Sequence, residues 1–265
     1  MKKRVLFVLL IMVGIIGILF SQTYAYEKKV TLASLDWEPY IGSKLNKGGY
    51  VAEIARQAFI AAGYKSEDIE IKYLPWSRAV KISENGQTDG LFPEYYVPER
   101  EELFVYSDPF PGGPVGFYQR KNMEINYKDF DDLAAQCIEK NWKIGVVRGY
   151  VNTEEFDANT NIAKVKDEAN SDKLNILKLA GDRVELIFID KFVASYIIDG
   201  LDNADELKDK LMFKEPPLEE KDLFICFPKK RENYKEKLAD FNKGLKILKD
   251  QGKIDAILKE YGFGN

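Results

Sequence analysis

Two hydrophobic rhythms alternate along this chain. Short apolar runs read as strands, and apolar residues spaced three or four apart read as helix. Val30 to Ser34 is a run of the first kind. From Gly49 to Gly63 the helical rhythm takes over, with Val51, Ile54, Ala55, Ala58, Phe59 and Ala62 on one face. Gly63 is placed to cap its end. Ile69 to Leu74 predicts a strand, the stretch after Trp76 a short helix ending near Asn85-Gly86, and Gly90 to Phe92 another short strand. Strands alternating with helices predict α/β layers around a largely parallel sheet.

At Asp108-Pro109-Phe110-Pro111-Gly112-Gly113-Pro114 the rhythm stops. Proline and glycine at this density resist both helix and continuous sheet. The segment predicts a crossover between two lobes, followed by a strand from Val115 to Gln119. Alternation then resumes: helix Phe130 to Lys140, strand Lys143 to Val147, helix Ser171 to Ala180, strand Val184 to Asp190, helix Lys191 to Asp199. Between Thr153 and Asn170 the pattern is weak and polar, which predicts a surface helix or loop. Leu179 to Ile189 echoes Ile82 to Phe92: helix end, glycine turn, strand.

Asp222 to Phe227 predicts a strand that crosses back. Glu232 to Gln251 is amphipathic, with Leu238, Phe241, Leu245 and Leu248 on one face. Gly252 breaks it, and Ile254 to Tyr261 predicts a last short helix. A chain that crosses twice makes two lobes with a hinge, and ligands bind between such lobes. The expected division is 26–110 with 228–265 as lobe 1, and 111–227 as lobe 2.

The first residues carry an address. Lys2, Lys3 and Arg4 precede an apolar run from Val5 to Phe20, then Thr23-Tyr24-Ala25. This predicts a cleavable signal peptide over 1–25, with Tyr26 as the mature N-terminus. The run is shorter than the roughly 20 residues of a membrane-spanning helix. No cysteine stands near the cleavage site, so a lipoprotein is not expected. The expected location is the periplasm.

Charge and composition narrow the chemistry. The formal net charge is -4, and loss of the three leader bases takes it to -7. A net acidic chain without a dense basic patch argues against nucleic acid. Histidine is absent. That removes Ser-His-Asp and Cys-His nucleophiles and His-ligated zinc, and neither metal nor other cofactor is expected. Cys137 and Cys226 could form one disulfide in an oxidising compartment or stay as two buried thiols.

Several residues stand out as candidate ligand contacts. Arg100 offers a planar fork of donors to a carboxylate, or pairs with a neighbour such as Glu99 or Glu101. Asp190 ends an apolar strand, where it meets an ammonium group, caps the helix from Lys191, or does both. Trp37 and Trp76 supply flat apolar faces to a ligand or to the core, and Tyr40 does so more weakly. Arg78, Arg148 and Tyr150 are candidates set against solvated charge or strand-end packing.

The chain resembles the polar-amino-acid class of bacterial extracellular solute-binding proteins, which feed ABC importers. The resemblance runs from about Val30 to Tyr261. Its signs are Asp36-Trp37-Glu38-Pro39-Tyr40, Gly49-Tyr50, Gly86-Gln87-Thr88-Asp89-Gly90, Pro98-Glu99-Arg100, Tyr106-Ser107-Asp108-Pro109-Phe110, Lys143-Ile144-Gly145-Val146-Val147-Arg148-Gly149 and Gly252-Lys253-Ile254-Asp255-Ala256-Ile257. It implies the type II periplasmic binding protein fold, with two lobes, two crossover strands and a cleft between. It implies a carboxylate-binding arginine at Arg100, an amine-binding acid at Asp190, an aromatic clamp at Trp37 and Trp76, and an anion loop at Arg148-Gly149-Tyr150. Tyr95 falls where the family usually has a small hydroxyl residue, and Pro93 where a glycine often sits. These departures alter the pocket floor.

The expected function is periplasmic capture of a small polar or zwitterionic solute, an amino acid or related carboxylate, by a monomer that delivers it to an ABC permease. Two alternatives belong to other classes. One is a ligand-sensing module acting in trans on a membrane receptor. The other is a cyclohexadienyl-dehydratase-like enzyme, with Glu94 and Asp190 as its carboxylates.

Overall fold

A computed structural model describes residues 26–263 of the chain. The predicted signal peptide, 1–25, lies outside those residues. Among the described residues no helix is long and apolar enough to cross a membrane.

In the first lobe β1 (Val30–Ser34) lies between β2 (Ile69–Tyr73) and β3 (Gly90–Glu94), all parallel. Helices α1 (Tyr50–Ala61) and α2 (Trp76–Glu84) are the connections between them. The short β4 (Phe104–Tyr106) precedes the long β5 (Phe110–Arg120), which leads into the second lobe. There follow α3 (Phe130–Lys140), β6 (Ile144–Val147), α4 (Glu154–Ala158), α5 (Thr160–Ala163), β7 (Lys166–Ala169), α6 (Asp172–Ala180), β8 (Leu186–Asp190), α7 (Lys191–Asp199), α8 (Ala204–Lys210) and β9 (Leu211–Phe213). The return strand β10 (Glu219–Pro228) leads to α9 (Tyr234–Asp250) and α10 (Lys253–Glu260).

The strands run in the order β2-β1-β3-β10-β5-β8-β6-β7. The first half of β10 pairs with β5 and its second half with β3 and β4, all antiparallel. The sheet is therefore mixed rather than largely parallel. Parallel pairing holds within each βαβ unit, and the crossing strands run against it.

Two segments differ from the sequence pattern. Pro111 to Pro114, read as irregular, lies inside β5. Gly113 and Pro114 pair with Lys221 and Glu220, and the register shifts just beyond, between Lys221 and Leu223. Proline is admitted to sheets at such irregular, locally unpaired places. Residues 166–169, read as polar surface, form β7, a parallel partner of β6. Lys166, Asp167 and Glu168 sit on a sheet edge facing solvent, so they carry no apolar signal.

Burial explains the strand sequences. In β8 Leu186 and Phe188 enter one core cluster, while Ile187 and Ile189 enter another. A strand covered on both faces reads as a continuous apolar run. The first lobe packs α1 and α9 on its sheet. Gly244 of α9 lies against α1 so closely that a Cβ there would fall 1.8 Å from the Ala58 carbonyl oxygen.

The Gly86-Gln87-Thr88-Asp89-Gly90 motif has a structural task. The buried Asp89 carboxylate accepts from Thr31 N–H at 2.8 Å, and from Lys237 Nζ and Arg231 Nε at 2.6 Å each. This ties the entry of β3 to β1 and α9. Burial alone would raise the Asp89 pKa, but these donors hold it below the usual carboxylate range. Cys137 and Cys226 are both free and buried, one in each lobe's core.

Candidate functional site

The carboxyl ends of the strands converge between the lobes. The turn after β1 brings Trp37 and Tyr40, β3 ends in Glu94 and hands on to Tyr95, and β8 ends in Asp190. Strand ends of an open α/β sheet are where ligands bind, because the turns there are free to vary.

Asp190 serves two lobes at once. Its Oδ1 accepts the N–H groups of Phe192 at 2.8 Å and Val193 at 3.0 Å, capping α7. Its Oδ2 accepts the Tyr40 hydroxyl at 2.8 Å and the Tyr95 hydroxyl at 3.4 Å. Tyr40 and Tyr95 both come from the first lobe. Gly113 makes this approach possible, since a Cβ there would sit 2.0 Å from the Tyr40 hydroxyl oxygen.

Aromatic rings line the gap. Trp37 lies 4.7 Å from Tyr40 and meets Tyr95 edge-on at 5.9 Å. Trp76 meets Tyr150 of the second lobe edge-on at 6.2 Å, and its Nε1–H donates to the Gly149 carbonyl at 3.1 Å. The cavity between them is about 30 Å³ and open on one side, with Trp37, Trp76, Glu94, Tyr95, Tyr150 and Leu223 among its walls. That is room for water and not for an amino acid. The lobes stand nearly shut.

The electrostatics are acidic. Burial pushes the Glu94 carboxyl up to about 7, against the opposing pull of Arg100. Burial, reinforced by the Asp190 charge, pushes Asp172 to about 7. Burial pushes Asp190 to about 6, although the α7 amides and the two tyrosine hydroxyls oppose it. Arg100 Nη1 lies 3.2 Å from Glu94 Oε2, but without hydrogen-bond geometry, so this oxygen has no hydrogen-bond partner.

The structure thus brings Trp37, Tyr40, Trp76, Tyr95, Gly149, Tyr150 and Asp190 together. Arg100 sits beside them, behind Glu94. Arg148 is exposed and pairs with Glu168 at 2.8 Å, and Arg78 is exposed on α2. Neither reaches the cavity wall. Sequence reasoning missed Asp172, which stands at the first turn of α6. An acid in that position looks like an ordinary complement to the helix dipole.

Comparison with known proteins adds the following. Residues 18–265 match the bacterial extracellular solute-binding proteins, family 3. No curated protein matches the chain. Among solved structures, a histidine kinase sensor domain with similarity to periplasmic binding proteins superposes with a TM-score of 0.73 and 18% identity, covering 88% of this chain and 96% of that one. The P235GK mutant of ArgBP from T. maritima gives 0.68 and 17%, covering 88% and 95%. The arginine-, lysine-, histidine-binding protein ArtJ from Geobacillus stearothermophilus gives 0.67 and 19%, again covering 88% and 95%. The fold is that of the type II periplasmic binding proteins.

Proposed function

The chain belongs to the bacterial extracellular solute-binding proteins, family 3, and on that footing we propose that it delivers a small polar solute to an ABC importer. The single observation behind this is the Tyr40–Asp190 bond, which joins the lobes across an aromatic-walled gap. We take 26–110 with 228–265 as one lobe and 111–227 as the other. Trp37, Tyr40, Trp76, Tyr95, Gly149, Tyr150 and Asp190 are the proposed contacts. The protein acts as an exported monomer after loss of its leader, and it binds rather than transforms its solute.

The physics of capture is differential affinity. A solute that touches both lobes favours the closed form by the contacts it makes only there. Closure expels water, so charge pairs and hydrogen bonds inside strengthen. Opening costs the Tyr40–Asp190 and Trp76–Gly149 bonds. A solute that replaces those bonds shifts the equilibrium, and a permease reads the closed shape.

The sensor-domain likeness supports a second reading, in which the closed form docks on a membrane receptor instead. Thermal melts of the mature chain against polar solutes, followed by uptake of the best one in cells with and without the gene, separate the readings. Transport expects a stabilised melt and gene-dependent uptake. A stabilised melt without an uptake difference favours sensing, and no stabilising solute rejects both.

A further inference from the structure

We infer that the solute is a small organic cation that bears N–H groups and has no carboxylate of its own. This deepens the solute-capture reading and rests on it. Among the described residues Glu94 is the one charged side chain on the cavity wall. It is buried, and its Oε2 lacks a hydrogen-bond donor. A buried carboxylate oxygen left without a donor is costly, and a ligand N–H would supply one.

The charge around the gap points the same way. Glu94, Asp172 and Asp190 are all buried between the lobes. One guanidinium, that of Arg100, stands beside Glu94. The next cation, Lys221, has its Nζ 5.8 Å from the Tyr95 ring and is committed to Glu219 at 2.9 Å. Three carboxylates against one arginine leave the gap net negative.

A ligand carboxylate would find no arginine or lysine on the cavity wall. Arg100 stands off the cavity wall as the counter-ion of Glu94, Arg148 is hydrogen-bonded to Glu168, and Arg78 is exposed away from the cavity wall. The carboxylate would instead face Glu94. The faces of Trp37, Trp76, Tyr95 and Tyr150 suit a cation as well as an apolar chain, because their π clouds attract positive charge.

The test is calorimetric titration of the mature chain at pH 7.5 with matched pairs: agmatine against L-arginine, and 1,5-diaminopentane against L-lysine. Each pair differs by one carboxylate. At least one amine is expected to bind tenfold or more tightly than its amino acid. Amino-acid binding as tight as that of the amine, or tighter, overturns the cation assignment and leaves solute capture standing. Silence from all four, and from every other amino acid, overturns both. Two variants sharpen the result. Glu94→Gln is expected to weaken amine binding tenfold or more. Arg100→Gln is expected to keep or strengthen it, and a tenfold loss there would count against the assignment even if Glu94→Gln failed to fold.

Discussion

The Tyr40 hydroxyl donates to Asp190 Oδ2 over 2.8 Å, and the two residues lie 150 positions apart on opposite lobes. Both are buried. Removing the hydroxyl leaves one carboxylate oxygen with only the longer Tyr95 contact. Tyr40→Phe is therefore expected to weaken closure by about 1 kcal/mol. Small-angle scattering without solute should show a larger radius of gyration. An unchanged radius would mean that this bond does not hold the lobes.

Asp190 has two tasks that substitution can separate. Asparagine still caps a helix, and alanine does not. Asp190→Asn should keep most of the stability yet lose solute affinity. Asp190→Ala should lose affinity and a further ~1 kcal/mol of stability. Urea unfolding and titration of both variants check this. Equal stability of the two would remove the capping role seen at Phe192 and Val193.

The buried carboxylates set a pH signature. Glu94 and Asp172 lie at about 7 and Asp190 at about 6, each raised first of all by burial. An unfolded carboxylate titrates near ~4. Between these values the folded state holds protons that the unfolded state has released. Stability should therefore fall as pH rises from about 4 to about 7. Asp89 acts oppositely: its lowered pKa means its contribution is lost as the solution turns more acid than that window. Melting curves of the solute-free protein should thus peak in mild acid. A melt that stays level from pH 5 to pH 8 would contradict this. A bound organic cation favours the ionised carboxylates, so its affinity should rise with pH over the same range.

Gly244 tests the packing of α9 on α1. A methyl group there meets the Ala58 carbonyl oxygen at 1.8 Å, a backbone atom that cannot rotate aside. Gly244→Ala is expected to cost about 1–3 kcal/mol in urea unfolding despite alanine's better helix propensity. A neutral or stabilising result would mean that the helices stand farther apart.

Much of this fold is legible in the residue pattern. Helix α7 spans Lys191–Asp199 as its periodicity predicts, and the apolar run of β8 announces a strand buried on both faces. β7 is not legible, because Lys166, Asp167 and Glu168 are polar on an exposed edge. The Pro111–Pro114 stretch hides a strand, because its irregular pairing with β10 tolerates what a regular ladder does not. The candidate site divides in the same way. Asp190 can be read from its place at the end of an apolar strand, and Trp37 and Tyr95 from the family resemblance. Arg100 and Arg148 look alike in sequence as ligand forks, and only geometry shows that Arg100 is the counter-ion of Glu94 while Arg148 is bonded to Glu168. Asp172 comes close to Asp190 through the tertiary fold, which no local pattern encodes.

Native mass spectrometry of the protein purified from its native source bears most directly on solute capture. Wild type is expected to carry one small adduct per chain, and the Trp37→Ala, Asp190→Ala double variant to carry none. A bare mass for wild type, together with no polar solute that raises its melting temperature, would contradict capture between these lobes.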